Sequence, residues 1–130
     1  MAEGWTRHIK GDAIDPRSAG VETHGLNQRA VKVMAEAGVD ISNHKSKNVS
    51  ELMNIDFDAV VTVCDHAREA CPVFPKKTRK LHAGFDDPPR LAERVLGEDN
   101  KLDCYRKVRD EIKAFVSQLP DALYGPGAAR

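Results

Sequence analysis

Ala59-Val60-Val61-Thr62-Val63 is the most apolar strand-like run in the chain, and Cys64 follows it directly. A strand apolar on both faces is what a parallel sheet covered by helices on each side requires, so the run predicts a buried strand of an α/β fold. Open α/β sheets place ligands and chemistry at the carboxyl ends of their strands, which makes Cys64 a candidate reactive thiol. Asp65-His66-Ala67-Arg68-Glu69-Ala70 then leads to Cys71, and Pro72 stops any helix there. Were this segment helical, the two cysteines would share a face at about 10 Å of axial rise. A disulfide needs its Cα atoms within roughly 4.4–6.8 Å, so bridging the pair would unwind the helix into an outward loop. Redox state and local fold would then be one switch. Cys64, on the first turn with Arg68 and His66 close by, would be the better nucleophile of the two.

Two blander readings compete at this point. Free cysteine is among the most buried residue types, so the pair could be ordinary core. A zinc site is weaker, because the five histidines are scattered and there is no C-x2-C knuckle. With three cysteines, no leader peptide and no apolar run long enough to span a membrane, the sequence points to a reducing cytoplasm. Twenty basic residues balance twenty acidic ones, which gives no field for nucleic acid or an anionic membrane. A length of 130 residues suits one domain, taken as residues 1–119, with 120–130 as a flexible Gly- and Pro-containing tail.

Around the strand the elements alternate. Met1 to Lys10 reads as a helix with Met1, Trp5 and Ile9 on one face. Ala13 to Ser18 reads as a short strand weakened by Pro16, closed by a turn at Ala19-Gly20. Asn27 is a good N-cap, with Leu26 and Val31 placed as a hydrophobic staple. The helix it starts runs to Ala37 before Gly38, with Ala30, Val31, Met34 and Ala35 as its apolar stripe. A short helix near Val49 to Met53 precedes the central strand, and a last strand is expected at Lys80 to His82. Leu102 to Leu119 is the strongest helix, with Tyr105, Val108, Ile112, Phe115, Val116 and Leu119 along one face. Cys104 lies at the margin of that stripe and reads as structural.

Asp86-Asp87-Pro88 is the second candidate for chemistry. A loop carboxylate fixed by a following proline, beside a strand end, suits a general acid that protonates an oxygen leaving group. Asp-Pro is also a common turn initiator, so the motif gains weight only beside the cysteines.

Several blocks together carry a resemblance. Met1-Ala2-Glu3-Gly4-Trp5, Ser18-Ala19-Gly20-Val21-Glu22-Thr23-His24-Gly25, Asp40-Ile41-Ser42-Asn43-His44, Val61-Thr62-Val63-Cys64 with Cys71-Pro72, Gly84-Phe85-Asp86-Asp87-Pro88 and Val108-Arg109-Asp110-Glu111-Ile112 resemble the thioredoxin-coupled arsenate reductases. These share the low-molecular-weight tyrosine phosphatase fold, a three-layer α/β/α architecture with a small parallel sheet. The resemblance implies a cysteine relay. In the family a first cysteine, in a C-x5-R anion loop after the first strand, attacks arsenate. A second displaces arsenite, and a third leaves a disulfide that thioredoxin reduces. By motif Cys64 is the second cysteine, Cys71 the third, and Asp87 the general acid. No cofactor and no metal centre is expected, and a monomer is favoured.

One departure is decisive. No C-x5-R occurs anywhere in the sequence, and Met1-Ala2-Glu3 corresponds to the segment that follows the anion loop. The first strand, the nucleophilic cysteine and the phosphate-cradling arginine are therefore missing, and Met1 is expected to be an internal methionine taken as the start. Loss of a central strand leaves unpaired backbone groups at about 1–3 kcal/mol each, against a whole-domain stability of about 5–15 kcal/mol. The chain is accordingly expected to fold poorly and to be inactive alone.

A second departure concerns a cation. Some family members hold potassium near the anion loop, and Glu3 and Ser18 match such positions. Lys45 and Lys47 fall where further oxygen ligands belong, so the ammonium of Lys45 is expected to stand in for the ion. Two other functions remain in competition. A tyrosine phosphatase of the same fold needs only the anion loop and the Asp-Pro acid, but the cysteine pair and the tyrosine-free Pro89-Arg90-Leu91 speak against it. A non-catalytic thiol or arsenite-binding module would use Cys64 and Cys71 alone.

Overall fold

The spine of the molecule is the helix with the strongest apolar stripe, and the other long helices are laid against it. The computed structural model describes residues 1–20, 27–44, 47–70, 72–74, 78–119 and 121–124. The first helix, α1 (Ala2–Lys10), and the second, α2 (Gln28–Glu36), both pack on α5 (Glu98–Val116). On α5 the side chains of Leu102, Tyr105, Val108, Ile112 and Val116 are buried, and Leu119 continues the stripe just beyond it. The helix starts four residues before the expected Leu102, because Gly97 with φ +88° supplies the turn that lets Glu98 begin it.

Trp5 joins α1 to α5. Its ring is 2% exposed, its Nε1–H donates to the Arg109 carbonyl at 3.1 Å, and the Lys113 ammonium lies 5.2 Å from its centroid. Gly4 allows α1 to close on the segment after α2, since a Cβ there would meet Ile41 Cγ2 at 2.6 Å. Asn27 caps α2 as expected, accepting from the N–H groups of Arg29 at 2.9 Å and Ala30 at 3.1 Å. The same side chain donates to the Tyr105 hydroxyl at 2.9 Å, so the cap is also a tie to α5. Ion pairs Arg106–Glu36 and Arg29–Glu98, at 2.8 and 3.0 Å, flank that tie.

The buried stripe of α2 differs from the expected one. Ala30, Val33 and Met34 are buried, Val31 is half-buried and Ala35 is exposed. At 100° per residue the face that meets α5 is centred between 30, 33 and 34, which carries Ala35 round to solvent. The proposed staple partner Leu26 lies outside the described residues.

The sheet has two strands, β1 (Ala59–Thr62) and β2 (Arg79–His82), paired in parallel with Ala59 opposite Arg79 and Thr62 opposite His82. A short helix, α3 (Asp65–Ala70), follows β1. The ladder is fastened at its entry by Thr78 Oγ1 donating to the Phe57 carbonyl at 3.0 Å and the Arg79 N–H donating to the Asp58 carbonyl at 2.9 Å. Among the described residues β1 pairs only with β2, and every residue of β1 is half-buried rather than buried. The core, drawn from α1, α2, α5 and the segments beside them, includes no residue of either strand. A strand apolar on both faces thus has one paired edge among the described residues, and the expected burial is not reached.

Ala13 to Ser18 does not form the expected strand. Residues 14–19 run without a ladder, and Gly20, expected in a turn, makes an isolated parallel bridge with Asn48. Pro16 has no N–H to donate, and a strand with no described neighbour to pair with has nothing to hold it extended. A 3-10 turn at Val49–Leu52 opens with an Asn48–Glu51 capping box. Helix α4 (Pro88–Ala92), missed in the sequence, begins on Pro88-Pro89, whose fixed φ suits a first helical turn. A last helix, α6 (Asp121–Tyr124), lies within the stretch read as tail, with Leu123 against the core.

Candidate active site

Cys64 sits at the strand exit, two residues past the end of β1 and directly before α3. It is half-buried and acts as the N-cap: the Ala67 N–H donates to its Sγ at 3.4 Å and the Arg68 N–H to its carbonyl at 3.1 Å. The segment between the cysteines is therefore helical with the thiol free, the state from which a bridge to Cys71 would require unwinding. Cys71 lies outside the described residues. Cys104 is half-buried on α5.

The Asp-Pro loop comes from the neighbouring strand. Beyond β2 the parallel ladder continues, the Ala83 N–H donating to the Thr62 carbonyl at 2.8 Å and the Phe85 N–H to the Val63 carbonyl at 3.0 Å. These bonds set the start of the Asp86-Asp87 loop against the residues that lead into Cys64. Asp87 occupies the N-cap position of α4 yet its carboxyl accepts no capping bond there, and it is exposed. A carboxyl so placed is held by its backbone and left available for proton transfer. Asp86 pairs with Lys107 at 3.7 Å and, with Gly84, Phe85 and Glu111, lines a cleft of about 470 Å³ between the loop and α5. Phe85 anchors that wall by stacking edge-on to Phe115, centroids 5.9 Å apart.

A separate cluster surrounds Glu3, whose side chain is only 11% exposed. Ser18 Oγ donates to its Oε1 at 2.7 Å, Arg7 reaches Oε2 at 3.4 Å and His44 Nδ1 lies at 3.7 Å. Burial pushes the Glu3 carboxyl up, but the Ser18 and Arg7 hydrogen bonds and the charges of His44 and Lys47 outweigh it and hold the group below its ordinary range. The ammonium nearest this cluster among the described residues is that of Lys47, which donates to the Ser18 carbonyl at 3.4 Å. Lys45, the residue expected in that role, lies outside the described residues.

The structure thus brings Cys64 and the Asp87 loop together at one end of the sheet and keeps Glu3 and Ser18 together at the start of α1. It adds one group that the sequence reading passed over, His82, whose ring meets Thr62 at the strand ends. No local pattern announces it, because it depends on the parallel register that sets Thr62 opposite His82.

This arrangement belongs to a known class. The pattern that defines the low molecular weight phosphotyrosine protein phosphatases matches residues 1–125, and the chain belongs to that family. Within it the similarity is to arsenate reductases: the chain is 45% identical to the arsenate reductase of Halalkalibacterium halodurans over 112 residues, covering 86% of this chain and 78% of that one. It is likewise 45% identical to the arsenate reductase of Bacillus subtilis over 113 residues, with the same coverage. Among solved structures, an arsenate reductase in its oxidized state superimposes with a TM-score of 0.73 at 24% identity, over 94% of this chain and 86% of that one, which shows the shared fold.

Proposed function

We propose that the chain carries the second half of an arsenate reductase relay. The observation that supports this most directly is Cys64: a half-buried thiol at a strand exit, capping a short helix, beside a loop carboxyl left free by its own helix. In the relay, the thiolate of Cys64 attacks the sulfur of a cysteine–arsenic adduct. The S–S bond forms, the S–As bond breaks with its electron pair, and arsenite leaves. Cys71 then attacks Cys64, releasing the first thiolate and leaving a Cys64–Cys71 disulfide for thioredoxin to reduce. Asp87 donates the proton to the departing oxygen when the adduct forms. The protein works as a cytoplasmic monomer in this reading, with arsenate as substrate.

The first cysteine is the part these residues do not contain, since none of Cys64, Cys71 and Cys104 opens a C-x5-R loop. The chain by itself is therefore expected to show no arsenate turnover with thioredoxin, thioredoxin reductase and NADPH. Turnover that depends on Cys64 would overturn this account. Arsenite titration of the reduced chain separates the relay from a plain thiol-binding module: the module predicts loss of two free thiols at equimolar arsenite without any redox partner.

For the cluster at the start of α1 we read Glu3 and Ser18 as remnants of a cation site with lysine charge in the ion's place. Lys47 is the supported occupant, because its ammonium reaches the Ser18 carbonyl while adding its charge to Glu3. A lysine there makes potassium unnecessary.

A further inference from the structure

One polar contact at the carboxyl end of the sheet is used by nothing above. β1 and β2 end in register, Thr62 beside His82, and Thr62 Oγ1 lies 2.7 Å from His82 Nδ1. This is a short hydrogen bond whose direction depends on the imidazole tautomer. The far side of the ring faces the next loop, for a Cβ added at Gly84 would stand 3.0 Å from His82 Nε2. One half-buried imidazole therefore bonds to the last residue of β1 and lies close to the glycine that opens the Asp86-Asp87 loop, where only a residue without a Cβ leaves the ring its room. The two backbone bonds that extend the ladder, from Ala83 to Thr62 and from Phe85 to Val63, follow directly after it in the chain. Cys64 follows Val63, and Asp86 follows Phe85. What fixes the acid loop relative to the thiol passes within a few residues of His82.

We propose that His82 is a positioning residue, bridging Thr62 and Gly84 so that the Asp86-Asp87 loop and the Cys64 segment keep one register. The role rests on the reading of Cys64 and Asp87 given above, but its geometry stands without it. Asparagine at 82 can place an amide near the site of Nδ1 and keep the bond to Thr62, whereas leucine fills the space and offers no polar atom.

Amide hydrogen exchange on the full chain tests this directly, with Cys64 alkylation by iodoacetamide followed in parallel by peptide mass spectrometry. His82→Leu is expected to speed exchange at Ala83 and Phe85 by about tenfold and to raise the Cys64 alkylation rate, leaving Val108 of α5 unchanged. His82→Asn should return all three readings close to those of the unmodified chain. Thr62→Val combined with His82→Leu should add nothing to the single change. Unchanged protection at Ala83 and Phe85 in His82→Leu would overturn the proposal. So would failure of asparagine to rescue, or equal acceleration at Val108, which marks global loosening. None of these readouts uses arsenate or a redoxin, so a failure here leaves the relay reading standing and the converse also holds.

Discussion

The helical layer and the β1–α3–β2 unit are built on opposite terms. In the layer, α1, α2 and α5 bury Trp5, Met34, Tyr105 and Val108 to 2% exposure or less, and hydrogen bonds and ion pairs lock the helices at their rims. In the β unit every strand residue of β1 is half-buried, and the order comes from a parallel ladder fastened at both ends by Thr78, Arg79, Ala83 and Phe85. Of the two groups proposed for chemistry, Cys64 belongs to the second region and Asp87 to the loop that leaves it for α4. Apolar burial is thus concentrated in the helical layer, and Cys64 lies between a half-buried strand and the six-residue helix α3.

The same substitution made in both regions tests the contrast most sharply. Val108→Ala removes two methyl groups from a residue 1% exposed and should cost about 2–3 kcal/mol in denaturant unfolding. Val61→Ala, at a half-buried strand position, should cost below about 1 kcal/mol. Equal costs would mean that the strands belong to the core and that the division is false.

Glu3 probes the rim of the helical layer through pH. Its carboxyl is held below the ordinary value of 4.5, so its contribution is fully present above that pH and is lost as pH falls through the lower folded value. Glu3→Gln should remove about 1–2 kcal/mol at neutral pH and flatten the acid limb of a stability–pH curve. An acid limb as steep as before would show that other carboxylates set it. Asn27→Ala should cost about 1 kcal/mol, since it removes both the α2 cap and the donor to Tyr105, and a melting curve unchanged by it would deny the tie between α2 and α5. The smallest effect is expected from potassium chloride against sodium chloride at equal ionic strength: no difference in melting temperature for the chain, with a potassium response appearing in Lys47→Asp. A large response in the unmodified chain would remove lysine from the ion's place.

Much of the layer was legible because helices advertise themselves by period. The Asn27 cap, the α1 face and the α5 stripe follow from spacing alone, and the error at Ala35 is one step of helical phase. Strands depend on partners that the local sequence does not reveal. Ala13 to Ser18, weakened by Pro16, and the far more apolar Ala59 to Val63 were both read as strands, yet only the second has a described neighbour to pair with, and its residues are half-buried. In the candidate site, the placement of Cys64 at a strand exit and of the Asp86-Asp87 loop beyond the next strand was readable from motif and position. The Thr62–His82 contact was not, because it arises from the register between strand residues twenty apart in sequence. The contact of Lys47 with Ser18 likewise needed the chain path, in which the Gly20–Asn48 bridge brings residue 47 beside Ser18.

The placement of Trp5 decides what a fluorimeter can see. The chain has one tryptophan, and it lies between α1 and α5 beneath Lys113, with its indole N–H tied to Arg109. Its emission reports the integrity of the helical layer and is blind to events around Cys64. An unfolding curve followed by intrinsic fluorescence would describe the quiet half of the molecule, while opening of the thiol segment passed without a signal.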